Sequence, residues 1–172
     1  AAAFIDLLYT NDFSNLEIGM GQYGIMLSDD GMILDDGVTF KLAENHYLMS
    51  TSTGYADLVF RHMEYILQVE CPDWQVWITP VTSQWCNATI CGPKARDVMA
   101  ALGVNIDISA KAFPFMGVRD AVVADMPARI CRVSFTGEVS FEISVWPRYA
   151  EDMWLKIMKA GTAFGIVPVG SE

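Results

Sequence analysis

Between residues 23 and 50 the sequence breaks into four short strand-like runs, 23–27, 32–34, 38–42 and 47–50, joined by links of only a few residues. The links Ser28-Asp29-Asp30-Gly31 and Ala43-Glu44-Asn45 carry the residue types that reverse a chain. Connections this short permit only antiparallel neighbours, because a parallel crossover needs a dozen residues or more. The segment is therefore an antiparallel meander, and the rest of the chain has to cover it.

The covering elements are legible by spacing. Over residues 54–69, Leu58, Val59, Met63, Ile66 and Leu67 recur at helical intervals, while Asp57, Arg61, Glu64 and Gln68 fall mostly on the other side. Strand-like runs follow at 74–79 and 85–91. A helix over 93–102 then opens on Pro93, a residue suited to a first helical turn. Residues 107–113 predict a short turn of helix, residues 119–124, 128–135 and 141–145 predict strands, and residues 148–163 predict a closing helix. Strand runs interrupted by single helices define an α+β fold, antiparallel sheets with covering helices, rather than a doubly wound parallel sheet. Residues 3–8 read as the end of a helix, and Val169-Gly170-Ser171-Glu172 carries no terminating signal. Residues 1–172 are accordingly expected to be a fragment of a single domain, truncated at both ends.

At 172 residues, 52% of them hydrophobic and 19% charged, the chain has the length and core-forming material of a folded domain. The 11 basic and 21 acidic residues leave a formal charge of −10, which repels phosphate backbones and argues against a nucleic-acid partner. No stretch approaches the roughly 20 apolar residues of a membrane helix. The opening Ala1-Ala2-Ala3-Phe4-Ile5-Asp6 has no basic leader, so a soluble, cytoplasmic protein is expected. Cys71, Cys86, Cys91 and Cys131 form no CxxC pair and have only His46 and His62 as companions, so no metal site is expected and the thiols read as reduced.

Two motifs have plain explanations. Gly19-Met20-Gly21-Gln22-Tyr23-Gly24 matches GxGxxG, but a dinucleotide site needs those glycines to open a helix, and a strand follows here. Asn87-Ala88-Thr89 matches a glycosylation acceptor inside a strand-like run and reads as chance. No serine has the GxSxG surroundings of a hydrolase nucleophile.

Asp35-Asp36 is more informative. A carboxylate at the end of an apolar strand is partly desolvated and can act as a base or stabilise a developing cation, although residue type alone favours a solvated hairpin turn. Farther along, Phe135-Thr136-Gly137-Glu138 is a tight turn, and Glu142 interrupts an apolar run. That glutamate needs a partner, either one of Arg119, Arg129 and Arg132 or a ligand.

Read in order, four segments resemble the folate-dependent aminomethyltransferase family, the glycine cleavage T-protein family: Tyr23-Gly24-Ile25-Met26-Leu27, Asp30-Gly31-Met32-Ile33-Leu34-Asp35-Asp36, Cys91-Gly92-Pro93-Lys94-Ala95 and Phe135-Thr136-Gly137-Glu138-Val139-Ser140-Phe141-Glu142-Ile143. The resemblance covers nearly the whole chain. Arg132-Val133-Ser134-Phe135-Thr136-Gly137-Glu138 and Tyr9-Thr10-Asn11 are most similar to one branch, the C-terminal domain of the α subunit of heterotetrameric sarcosine oxidase.

This resemblance implies a three-lobed fold around a channel for tetrahydrofolate. It implies Asp36 as the catalytic residue beside N10 of the folate, and Tyr23, Glu142 and Phe135 as cofactor-binding residues. Glu142 stands at the pterin edge, and Phe135 occupies a position that is commonly tyrosine, keeping the stacking surface without the hydroxyl. The family glycine before Phe-Glu is Ser140 here. The family pattern also has an N-terminal strand segment and an arginine-containing stretch that would begin near Glu172.

The implied activity is capture of the imine or formaldehyde-level product of sarcosine demethylation as 5,10-methylenetetrahydrofolate. The implied partners are a small secondary or tertiary amine-derived donor and flavoprotein subunits, with flavin (FAD or FMN) and NAD held elsewhere in the parent complex. The alternatives are a folate-binding structural module of the iron–sulfur-assembly type without transferase activity, and a free-standing glycine cleavage aminomethyltransferase.

Overall fold

Two antiparallel sheets organise the chain in the computed structural model, which describes residues 1–170; the expected chain end at Ser171-Glu172 lies outside the described residues. The chain divides into two units, residues 1–80 and residues 81–172, each with its own sheet.

The first unit holds β1 (Gly21–Leu27), β2 (Ile33–Ala43) and β3 (His46–Met49), in that spatial order. Ser28 and Met32 close the first turn, where Gly31 takes a left-handed φ of 80° that favours glycine. β2 is one strand of 11 residues, not two short runs, and Asp35-Asp36-Gly37 lies inside it, paired with Gly24, Ile25 and Met26 of β1. The two acids are thus strand residues and not a hairpin turn. The strand continues because Gly37 lets the end of the meander come close: a Cβ there would lie 2.0 Å from the Ser50 carbonyl oxygen.

Helices α1 (Ala2–Leu8) and α2 (Ala56–Tyr65) supply much of this unit's core, in which Phe4, Ile5, Leu8, Tyr9, Phe13, Met26, Val59 and Met63 are buried together. Each large apolar side chain buried there contributes roughly 1.5–3 kcal/mol of transfer free energy. α2 runs on into a wider turn over Ile66–Glu70, closed by the Cys71 N–H on the Ile66 carbonyl. Residues 74–79 are not a strand. Val76 and Ile78 pack against the core with period two, but no ladder forms, and Pro72 and Pro80 bracket the segment.

The second unit holds β4 (Cys86–Cys91), β5 (Val118–Val123), β6 (Met126–Cys131) and β7 (Ser140–Val145), in the order β4-β7-β6-β5. Alternation gives this sheet two unlike faces. Ile90, Met126, Ala128, Ile130, Phe141, Ile143 and Val145 share a buried cluster with residues of α3 (Ala95–Ala101) and α4 (Ala150–Gly161). The opposite face carries the polar residues Asn87, Thr89, Asp120, Arg129, Glu142 and Ser144, together with the buried Val118 and Cys131. β6 ends at Cys131, so residues 132–135 belong to a loop, drawn off the ladder by Arg132, whose N–H and C=O bond with Gly117 and Met116. Residues 107–113 form turns rather than a helix, the first held by the Asp107 carboxylate on the Ser109 N–H at 2.8 Å. Among the described residues no helix is long and apolar enough to cross a membrane.

Candidate functional site

Strand alternation sends the two adjacent aspartates to opposite faces of the first sheet. Asp35, opposite Met26, is buried and accepts the Ser52 N–H on both oxygens at 3.2 and 3.3 Å. Asp36, opposite Ile25, is half-buried on the other face, one diagonal step from Tyr23. The Tyr23 hydroxyl donates to Asp36 Oδ2 at 2.5 Å. This short bond to a carboxylate is the main cause that raises the Tyr23 pKa, with desolvation and the charges of Asp36 and Asp35 adding to it. The phenol therefore remains a donor at neutral pH and orients one oxygen of Asp36, while Oδ1 is left with no partner among the described residues.

Glu142 lies on the polar face of the second sheet, opposite Thr89 of β4 and Cys131 of β6. Its bond comes from Asn87, whose Nδ2 donates to Oε2 at 3.1 Å. The three arginines open to it on sequence grounds are engaged elsewhere. Arg129 donates to both oxygens of Asp120 at 2.8 and 3.1 Å and lies 5.3 Å from the Trp85 ring centroid. Arg132 Nη1 donates to the Ser140 carbonyl at 3.0 Å, and Arg119 Nη1 to that of Val118 at 2.7 Å. Among the described residues Glu142 has no ion-pair partner. An anionic carboxylate with a lone pair to spare and no cation beside it is suited to an N–H-rich ligand edge.

Phe135 is fully exposed in the loop before β7. The structure thus brings Tyr23 and Asp36 into contact in the first unit, and carries Glu142 and Phe135 on β7 and its preceding loop in the second. Sequence alone does not mark Asn87 as a site residue; it stands there only within a chance acceptor pattern. A polar residue alternating with Ala88 and Ile90 was the available signal, but its partner follows only from the β4–β7 register. Among the described residues no cluster of His, Cys, Asp and Glu could hold a metal ion.

Two units, each an antiparallel sheet with covering helices, give the chain the architecture of the aminomethyltransferase-type fold. It superposes with a TM-score of 0.72 on the glycine cleavage system aminomethyltransferase T of Bartonella henselae, at 23% identity, covering 91% of this chain and 40% of that one. With heterotetrameric sarcosine oxidase of Corynebacterium sp. U-96 the TM-score is 0.67 at 16% identity, covering 98% and 76%. The GCVT N-terminal domain family matches residues 1–172, and the chain belongs to that family. It is 43% identical over 173 residues to the sarcosine oxidase subunit alpha of Corynebacterium sp. (strain U-96), covering all of this chain and 18% of the length of that relative.

Proposed function

We propose that this chain is a tetrahydrofolate-binding one-carbon transfer domain of the sarcosine oxidase α-subunit type. The observation that carries the proposal is the Tyr23–Asp36 hydrogen bond, which fixes a half-buried carboxylate on the accessible face of a sheet in a member of this family. The residues fit a folate. Glu142 has acceptor capacity free of any cation for the pterin N–H groups, and the exposed ring of Phe135 offers a stacking surface.

Tetrahydrofolate, when bound, supplies the amine that takes up a one-carbon unit at the formaldehyde oxidation level, with 5,10-methylenetetrahydrofolate as the product. The Tyr23 hydroxyl donates a hydrogen bond to Asp36 Oδ2 and so restricts the carboxylate's rotation. Asp36, half-buried, takes up a proton or balances positive charge developing beside its free oxygen. Glu142 orients the pterin edge. The one-carbon donor is a small secondary or tertiary amine oxidised by flavoprotein subunits of a cytoplasmic complex, with flavin and NAD bound outside these residues. The likeness to a protein named as an oxidase subunit supports that setting.

The test is calorimetric titration of 5-formyltetrahydrofolate into the intact protein, wild type beside Glu142→Gln. Micromolar binding that the substitution weakens supports the reading. No heat in the wild type at two temperatures rejects it, and leaves a structural module that has kept the fold alone.

A further inference from the structure

The polar face of the second sheet is built in rows. One row runs Asp120, Arg129, Ser144, Asn87 across β5, β6, β7 and β4, and the next runs Val118, Cys131, Glu142, Thr89. Glu142 therefore has Arg129 as a diagonal neighbour on one side and Asn87 on the other, each about 7–8 Å away between backbones and within reach of a long side chain. A guanidinium so placed is the natural partner of a carboxylate, because it offers paired donors and a full charge. The structure shows the opposite choice: Glu142 takes the neutral amide of Asn87, and Arg129 turns away to Asp120 and Trp85. Both charges are nonetheless close to the row, since Glu142 raises and Arg129 lowers the pKa of the Cys131 thiol between them, after the larger effect of burial.

We propose that Asp120 is a positioning residue for Glu142: by holding Arg129 in a two-pronged ion pair it keeps that guanidinium off the Glu142 carboxylate, which stays uncommitted for the N–H edge of a heterocyclic ligand. Asn87 then sets the carboxylate's orientation without cancelling its charge. The Asp120 side chain is 71% exposed while that of Arg129 is 16% exposed. With its carboxylate end in solvent, the pair is partly screened by water. Its effect lies in where it leaves the arginine. Removing Asp120 frees a cation whose nearest alternative anion along the sheet is Glu142. The ligand side of this inference rests on the folate reading above; the rearrangement itself does not.

Two measurements on the intact protein test it. In a crystal structure of Asp120→Asn, the Arg129 guanidinium is expected within about 4 Å of the Glu142 carboxylate, the ordinary ion-pair distance. In calorimetry, Asp120→Asn is expected to weaken 5-formyltetrahydrofolate binding about tenfold, the loss of one charge-assisted hydrogen bond, and addition of Arg129→Gln to restore it. That recovery in the double variant is an outcome a purely structural role for Asp120 does not produce. Arg129 remaining on Trp85 in the variant structure overturns the proposal. So does unchanged affinity in Asp120→Asn where Glu142→Gln lowers it. If the wild type binds no folate, the functional reading falls and the variant structure alone decides this inference.

Discussion

Tyr23 and Asp36, 13 residues apart in sequence, are joined by a 2.5 Å hydrogen bond across the β1–β2 hairpin, and the strand register is what makes them neighbours. Tyr23 is opposite Val38 and Asp36 opposite Ile25, so their side chains share one face on a diagonal. Removing only the hydroxyl, in Tyr23→Phe, leaves the ring in place and frees the carboxylate to rotate. One-carbon transfer is expected to fall about tenfold, the worth of one hydrogen bond to a charged group, with substrate affinity less affected. Steady-state kinetics that separate kcat from KM check this; an unchanged kcat removes Tyr23 from the site.

Asp36→Asn keeps the shape and removes the charge. Folding is expected to be nearly unchanged, since the residue is half-buried and no cavity opens. Formation of 5,10-methylenetetrahydrofolate is expected to fall by about 10²-fold or more, the usual cost of losing a positioned acid or base. Thermal midpoint and single-turnover rate, measured on the same preparation, separate the two effects.

Gly37→Ala tests the backbone beneath the aspartate. The added Cβ would lie 2.0 Å from the Ser50 carbonyl oxygen, a backbone atom that can withdraw only by displacing the strand end. A loss of about 1–3 kcal/mol is expected, in the range of overpacked sites. Urea denaturation reads it, and an unchanged midpoint contradicts the close approach.

Phe135→Ala separates stability from binding. The ring is fully exposed, so unfolding free energy is expected to change by no more than about 0.5 kcal/mol. Folate affinity is expected to drop by about 0.5–1.5 kcal/mol if the ring stacks on the ligand. Equal affinity in both proteins takes Phe135 out of the site.

Alkaline pH should unfold the protein through two buried acids. Burial, before all else, pushes the Cys131 thiol and the Tyr9 hydroxyl up to about 12, from ordinary values of 9.0 and 10.0. Both groups are neutral in either state below about pH 9 and their full contribution to stability is present there. Above it the unfolded chain loses these protons first, so stability declines as pH rises toward about 12. Cys131→Ala is expected to make that decline shallower, as followed by urea midpoints across the window. A slope unaffected by the substitution would falsify the assignment to Cys131.

Some of this molecule was written in local pattern. The antiparallel meander, the amphipathic α2 and the period-two alternation of β7 are properties of neighbouring residues, and short connections left the strands no parallel option. Where pattern met no partner it misled: residues 74–79 alternate like a strand but have no ladder to join, and β6 ends before Phe135 because Arg132 bonds with the loop at Met116–Gly117.

The candidate site divides along the same line. Resemblance to a family, carried by short segments in order along the chain, is what marks Tyr23, Asp36, Phe135 and Glu142 as candidates; it needs no knowledge of distance. Which carboxylate of Asp35-Asp36 is buried, which of three arginines pairs with Glu142, and that Asn87 takes their place are matters of register between strands up to 55 residues apart. Cross-strand contact depends on pairing that no local period encodes, so the identity of these side chains was legible in the sequence, while the partner of each was decided only when the sheets formed.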